Sequence, residues 1–190
     1  PGVTGQQLLS RLNKPGLTRL LRTMPAREGD AYLIPPGMLH SAGAGNLLYE
    51  VSLAPYQPLR LGGTGIDAEL LPHEQNGGLE ALHLEARQNP RISREASPMT
   101  HTRRINLTRN CPFFQVSDIR LFDLISMRTD GDSFHLLTTI RGRVRLTAAG
   151  VDLQLKRGTT CCVPAGNGDY QIRAETEDAE LLRITRPYVP

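Results

Sequence analysis

The sequence predicts an all-β protein with a few short helices, built as two lobes of jelly-roll or sandwich type. Three observations carry that expectation. From Phe113 onward, short apolar runs recur at regular spacing, each closed by turn residues. Eighteen glycines and 14 prolines punctuate 190 residues, which favours many turns over long helices. The run from Gly158 through Pro164 to Gly166 also repeats, in register, the run from Gly29 through Pro35 to Gly37, so one half echoes the other.

Taken in order, residues 4–24 show helical periodicity in two pieces. Leu8, Leu9 and Leu12 form one stripe, Pro15-Gly16 breaks it, and Leu17, Leu20, Leu21 and Met24 form the next. Gly29-Asp30 then reads as a turn, Ala31 to Ile34 as a short buried strand, and Pro35-Pro36-Gly37 as a rigid bend. His40 follows at once, so its imidazole leaves a stiff support at a fixed angle, as a metal or substrate ligand requires. Ser41 to Asn46 is a small-residue loop, and Leu47 to Leu53 reads as a strand carrying Glu50 in an apolar setting. A carboxylate placed there needs a partner or a metal. Residues 62–78 are irregular, Leu79 to Ala86 a short helix, and residues 89–105 a linker rich in Pro, Ser, Thr and Arg. Two domains are expected, residues 1–100 and residues 101–190.

In the second domain, Phe113–Val116 and Asp118–Ile125 read as strands. Phe134–Arg141 is expected to pair with Val144–Thr147 as a hairpin across Gly142. Val151–Leu155, Thr160–Val163, Tyr170–Arg173 and Glu180–Thr185 complete the series.

Composition limits the function. A net charge of +3 with scattered basic residues, and 5% aromatic residues, leaves no stacking platform for nucleic acid. No run approaches the length of a membrane span. Cys161 and Cys162 are adjacent, so they point to opposite faces of a strand and make a poor disulfide or metal pair; with Cys111 they leave an odd count that fits a reducing cytoplasm. The chain opens on Pro1 rather than Met, as a fragment or a processed product would.

The spacing G-x5-P-x-G-x2-H from Gly29 to His40 resembles the second signature motif of the cupin superfamily. The longer run GDAYLIPPGMLHSAGAGNLLYEVS, with Arg60 ten residues beyond Glu50, resembles the C-terminal part of the class I mannose-6-phosphate isomerases. LEALHLEA and the later FHLLTTIRGRVRL and LKRGTTCCVPAG are similar to further segments of that family. The resemblance implies a cupin jelly roll and zinc-dependent aldose–ketose isomerisation of mannose 6-phosphate and fructose 6-phosphate. It implies His40 as a zinc ligand, Glu50 as an acidic active-site group, and Arg60 as the cation that stabilises the enediol intermediate. Tyr56 stands where the family carries an acidic residue and is a candidate for substrate contact. The second domain has Asp169 in the place of His40, and His135 in the place of a degraded metal motif, so it is expected to lack a metal site. The family's other zinc ligands lie in an earlier segment that this chain does not contain. The chain is therefore expected to be a fragment, inactive alone, that works with the missing N-terminal segment of the same protein. The alternative is a non-catalytic cupin that binds sugar or sugar phosphate.

Overall fold

Nine strands form among the described residues after position 101, and in several of them, such as β5 and β8, buried apolar residues alternate with outward polar ones. They are β1 (Thr102–Asn106), β2 (Gln115–Leu121), β3 (Leu124–Arg128), β4 (His135–Arg141), β5 (Arg143–Ala148), β6 (Val151–Lys156), β7 (Thr160–Val163), β8 (Asp169–Ala174) and β9 (Glu180–Thr185). In this computed structural model the described residues are 3–11, 14, 17–53, 80–84, 89–92, 102–108 and 111–187. The strands form two antiparallel sheets, one in the order β1-β2-β9-β4-β7 and the other β3-β8-β5-β6. Their inner faces enclose a core of Ile119, Leu121, Leu137, Val144, Leu146, Leu155, Val163, Tyr170, Ile172, Ala179 and Leu181. Interleaved strands in two packed sheets are a jelly roll of the cupin type.

The expected hairpin between β4 and β5 does not form. The two strands are consecutive but lie in different sheets. Register shifts between Thr139 and Arg141, and Gly142 follows with φ of +65°. A Cβ on Gly142 would collide with Thr176 Oγ1 and lie 2.7 Å from Asp178 Oδ1. The bulge and the glycine therefore turn the chain round a corner from one sheet to the other. The tight hairpin lies one step later, where Ala149 and Gly150, both at positive φ, join β5 to β6. The break between β2 and β3 falls at Phe122-Asp123, inside the run expected to continue from Asp118 to Ile125. Strand β1 lies in what reads as linker. Its positions opposite Ser117, Ile119 and Leu121 are Asn106, Arg104 and Thr102, so its inner face carries no apolar alternation to detect. The adjacent cysteines behave as their spacing requires. Cys161 packs against the core and Cys162 is exposed, both as free thiols.

The chain divides into two compact units, Pro1–Ile92 and Ser93–Pro190. In the first, Thr4 caps a short helix, α1 (Gly5–Leu9). Its hydroxyl accepts from Gln7 N–H at 3.2 Å while its own N–H donates to Gln7 Oε1 at 2.9 Å. A 3-10 turn follows at Leu17–Leu20, and Leu8 is buried among Val3, Leu17, Leu20, Leu39 and Leu82. Ala31 to Ile34 is half-buried and makes only an isolated bridge, Tyr32 to Arg91. Leu33 N–H donates to Pro90 O at 2.8 Å, and Ile92 N–H to Ala31 O at 2.9 Å. Leu47–Leu53 is not a strand: it is irregular, with Leu47 89% and Leu48 61% exposed. Apolar content alone suggested a strand there, and no neighbouring strand among the described residues pairs with it. Of the helix expected at Leu79–Ala86, Glu80 is helical and Ala81–Leu84 is turn and irregular chain, while Leu79, Glu85 and Ala86 lie outside the described residues.

Candidate functional site

The proline–glycine corner before His40 forms as its residue types dictate. Gly29 sits at φ +83°, and Asp30 N–H donates to Arg27 O at 3.0 Å to close the turn. Asp30 Oδ2 accepts from Arg27 N–H at 2.7 Å and from the Arg91 guanidinium at 2.5 Å. The Arg27 N–H, with Arg91 beside it, holds the Asp30 carboxyl below the usual carboxylate range. Gly37 sits at φ +78°, and a Cβ there would lie 2.7 Å from the His83 ring and 2.8 Å from Ala81 O. Only glycine admits that approach, in which His83 N–H donates to Gly37 O at 3.0 Å. The motif's aspartate and second glycine thus hold the corner itself.

His40 follows the corner and is exposed. Its Nδ1 lies 2.9 Å from Met38 O. A carbonyl only accepts, so Nδ1 carries the proton and Nε2 of the neutral ring keeps its lone pair for a ligand bond. Glu50 is exposed rather than set in an apolar environment, because the segment that carries it makes no sheet. Among the described residues, no hydrogen bond or ion pair joins His40 to Glu50. Arg60 and Tyr56 lie outside the described residues. Zinc needs three or four protein ligands, and the described residues include no group of three His, Cys, Asp or Glu side chains that could hold a metal. His40 is chemically suited to be one ligand. The described residues do not make the site.

A second polar constellation lies inside the jelly roll, where the sequence offers no motif. Residues opposite one another across antiparallel ladders share a face. Arg183 on β9 stands opposite Ser117 of β2 and Leu137 of β4, both of them buried, so it faces the interior. Arg104 on β1 reaches the same place, with a guanidinium N–H donating to Ser117 Oγ at 3.4 Å. His135, two residues before Leu137, is 7% exposed, and its Nδ1 lies 2.6 Å from the hydroxyl of Tyr170 on the other sheet. The Tyr170 hydroxyl also lies 3.5 Å from Met127 Sδ. Burial, with Arg183 second, pushes the His135 pKa down to about 4, which leaves the ring neutral near pH 7. Burial pushes Tyr170 upward, so its hydroxyl stays protonated. Sequence reading singled out His135 only as the place of a degraded motif. It missed Arg104 and Arg183, since an arginine in a strand carries no signal of which face it occupies.

Residues 104–182 match the family model described as "Mannose-6-phosphate isomerase, cupin domain". The second unit has the cupin-type jelly-roll fold and, over those residues, is similar to the cupin domain of that family. Compared with curated protein sequences, the chain has no significant match. Among solved structures, it is similar to KdgF from Halomonas sp., with 10% identity and a TM-score of 0.45 over 50% of this chain and 87% of that one. An RmlC-like cupin from Shewanella frigidimarina gives 13% identity and 0.43 over 50% and 86%. Ectoine synthase from P. lautus gives 13% and 0.43 over 50% and 70%. No helix among the described residues is long and apolar enough to cross a membrane.

Proposed function

We propose that the protein is a zinc-dependent mannose-6-phosphate isomerase, with this chain supplying part of the catalytic cupin and the closing jelly roll. The observation that carries the reading is the family match over residues 104–182, which falls beside an independent motif at Gly29–His40 in the other unit. In this reading His40 offers Nε2 to zinc, and the remaining ligands come from residues beyond those described, including an earlier segment of the same protein. Glu50 moves the proton between C1 and C2 of the sugar phosphate, Arg60 holds negative charge as it builds on the enediol, and Tyr56 touches substrate. Free cysteines suit the reducing cytoplasm proposed for it.

Metal content and conversion of mannose 6-phosphate to fructose 6-phosphate by the full-length protein test this reading. Bound zinc is expected, lost in His40→Ala, together with turnover that Arg60→Ala lowers by about 10²-fold or more, as loss of a charge-stabilising group does. Full turnover in Arg60→Ala removes the role given to that residue. A full-length protein that holds no zinc and turns nothing over, yet binds the sugar phosphate, belongs instead to the non-catalytic cupins.

A further inference from the structure

Arg183 presents a problem that the fold alone does not solve. Its Nε is buried and has no hydrogen-bond partner. A buried guanidinium is normally neutralised by a carboxylate that repays its desolvation. Among the described residues neither Arg183 nor Arg104 forms a salt bridge, and the charge of Arg104 is felt at Arg183: burial first, then Arg104, brings the Arg183 pKa down to about 10. Burial likewise lowers Arg104.

The nearby acids do not compensate. Asp118 alternates with Ser117 and Ile119 along β2, so it faces away from the interior. Asp130 lies on the exposed turn after β3, where its Oδ1 accepts from Asp132 N–H at 3.1 Å and Ser133 N–H at 3.4 Å. Its charge is felt at His135 but is not among the influences on either arginine. The other titratable groups at this end of the sandwich are neutral: burial lowers His135 and raises Tyr170 and Cys161. Two like charges therefore converge on one interior region with donors to spare and no anion of the described chain to receive them.

We propose that this end of the jelly roll is an oxyanion site, in which Arg183 and Arg104 together receive the phosphate or carboxylate group of a small molecule. Guanidinium pairs bind such groups through charge-assisted, often bidentate hydrogen bonds. The neutral pair of His135, on the same sheet as the two arginines, and Tyr170, on the facing sheet, bounds the site without adding an opposing charge. The proposal uses no residue of the isomerase reading, so either can fail without the other.

The test is titration of the full chain with inorganic phosphate and, separately, with malonate. Thermal unfolding and the side-chain Nε–H resonances of arginine are followed against sodium chloride of equal ionic strength. Phosphate, malonate or both are expected to raise the unfolding midpoint with concentration and to shift two arginine Nε–H resonances. Response to phosphate alone assigns a phosphate-bearing ligand, and response to malonate alone assigns a carboxylate. Arg183→Gln and Arg104→Gln are each expected to weaken binding at least tenfold. The resonance shifts in the unsubstituted chain give a readout that does not depend on either variant folding. No response beyond that of chloride, or affinity undiminished from the parent in both folded variants, overturns the proposal.

Discussion

The two units handle the same sequence device in opposite ways. Gly29 and Gly158 both turn the chain at φ near +83°, at 83° and 84° respectively, and each is followed by a short run ending in proline. In the second unit that run is β7, paired to β4 from Thr160 to Val163, with Val163 2% exposed in the core. In the first unit the equivalent run makes one bridge and stays half-buried. The chain beyond each corner presents an exposed residue, Asp169 in one copy and His40 in the other. The Asp169 carboxylate lies 3.9 Å from an exposed arginine, Arg128. The comparison teaches that a glycine–proline corner specifies local backbone, while a sheet forms only where non-local partners bring an apolar inner face to meet it.

The largest effect should come from emptying the two cores. Leu137 is 1% exposed in the second unit and Leu8 1% in the first. Leu137 is surrounded by residues that are themselves buried, whereas Leu8 has only partly buried neighbours. Leu137→Ala is expected to cost about 3–5 kcal/mol, and Leu8→Ala nearer 2 kcal/mol, since loosely held neighbours collapse into the gap. Urea unfolding of both variants checks this. Equal losses would mean that the first unit is packed as rigidly as the second.

That contrast also marks what the sequence could disclose. Strands β6 to β9 were readable because turn residues bound them, and because apolar positions alternate in β6 and β8. The β4–β5 hairpin was misread, since Arg141-Gly142-Arg143 looks like a tight turn and only the crowding at Thr176 and Asp178 reveals a corner between sheets. Strand β1 was invisible because Thr102, Arg104 and Asn106 occupy its inner face. The same polar substitution that hid the strand supplies half of the proposed oxyanion site. At the first site, the glycines, the prolines and Asp30 were legible as a corner. The surroundings of Glu50 were not, for burial depends on partners that local composition does not name.

A smaller effect separates the units by pH. His135 titrates near 4 when folded and near 6.5 when unfolded. Between those values the unfolded chain binds a proton that the folded chain does not, so stability rises with pH across that window and is lost as pH falls through it. The contribution is about 1–2 kcal/mol after allowance for solvent screening. It should disappear in His135→Gln, whose amide offers the Tyr170 hydroxyl an uncharged partner. Urea midpoints at pH 7 and pH 5 measure it. A slope that persists undiminished in the variant would place the titrating group elsewhere.

The smallest expected effect lies in the first unit, at Asp30. Its carboxylate receives the Arg27 N–H and the Arg91 guanidinium, with the Tyr32 hydroxyl at 3.4 Å. The folded carboxyl therefore ionises more readily than the unfolded one. Its stabilisation is complete above the unfolded value near 3.8 and is lost as pH falls through the lower folded value. Asp30→Asn keeps an acceptor for the Arg27 N–H and removes only the charge. Arg91 remains partly solvated, with 38% of its side chain exposed, so water and salt screen most of what the charge contributes. The variant should be slightly less stable than the parent at neutral pH and low salt, with the difference shrinking as salt is added. If the loss instead survives high salt undiminished, Asp30 is needed for its hydrogen-bond geometry, and the corner that carries His40 is held more firmly than its exposure indicates.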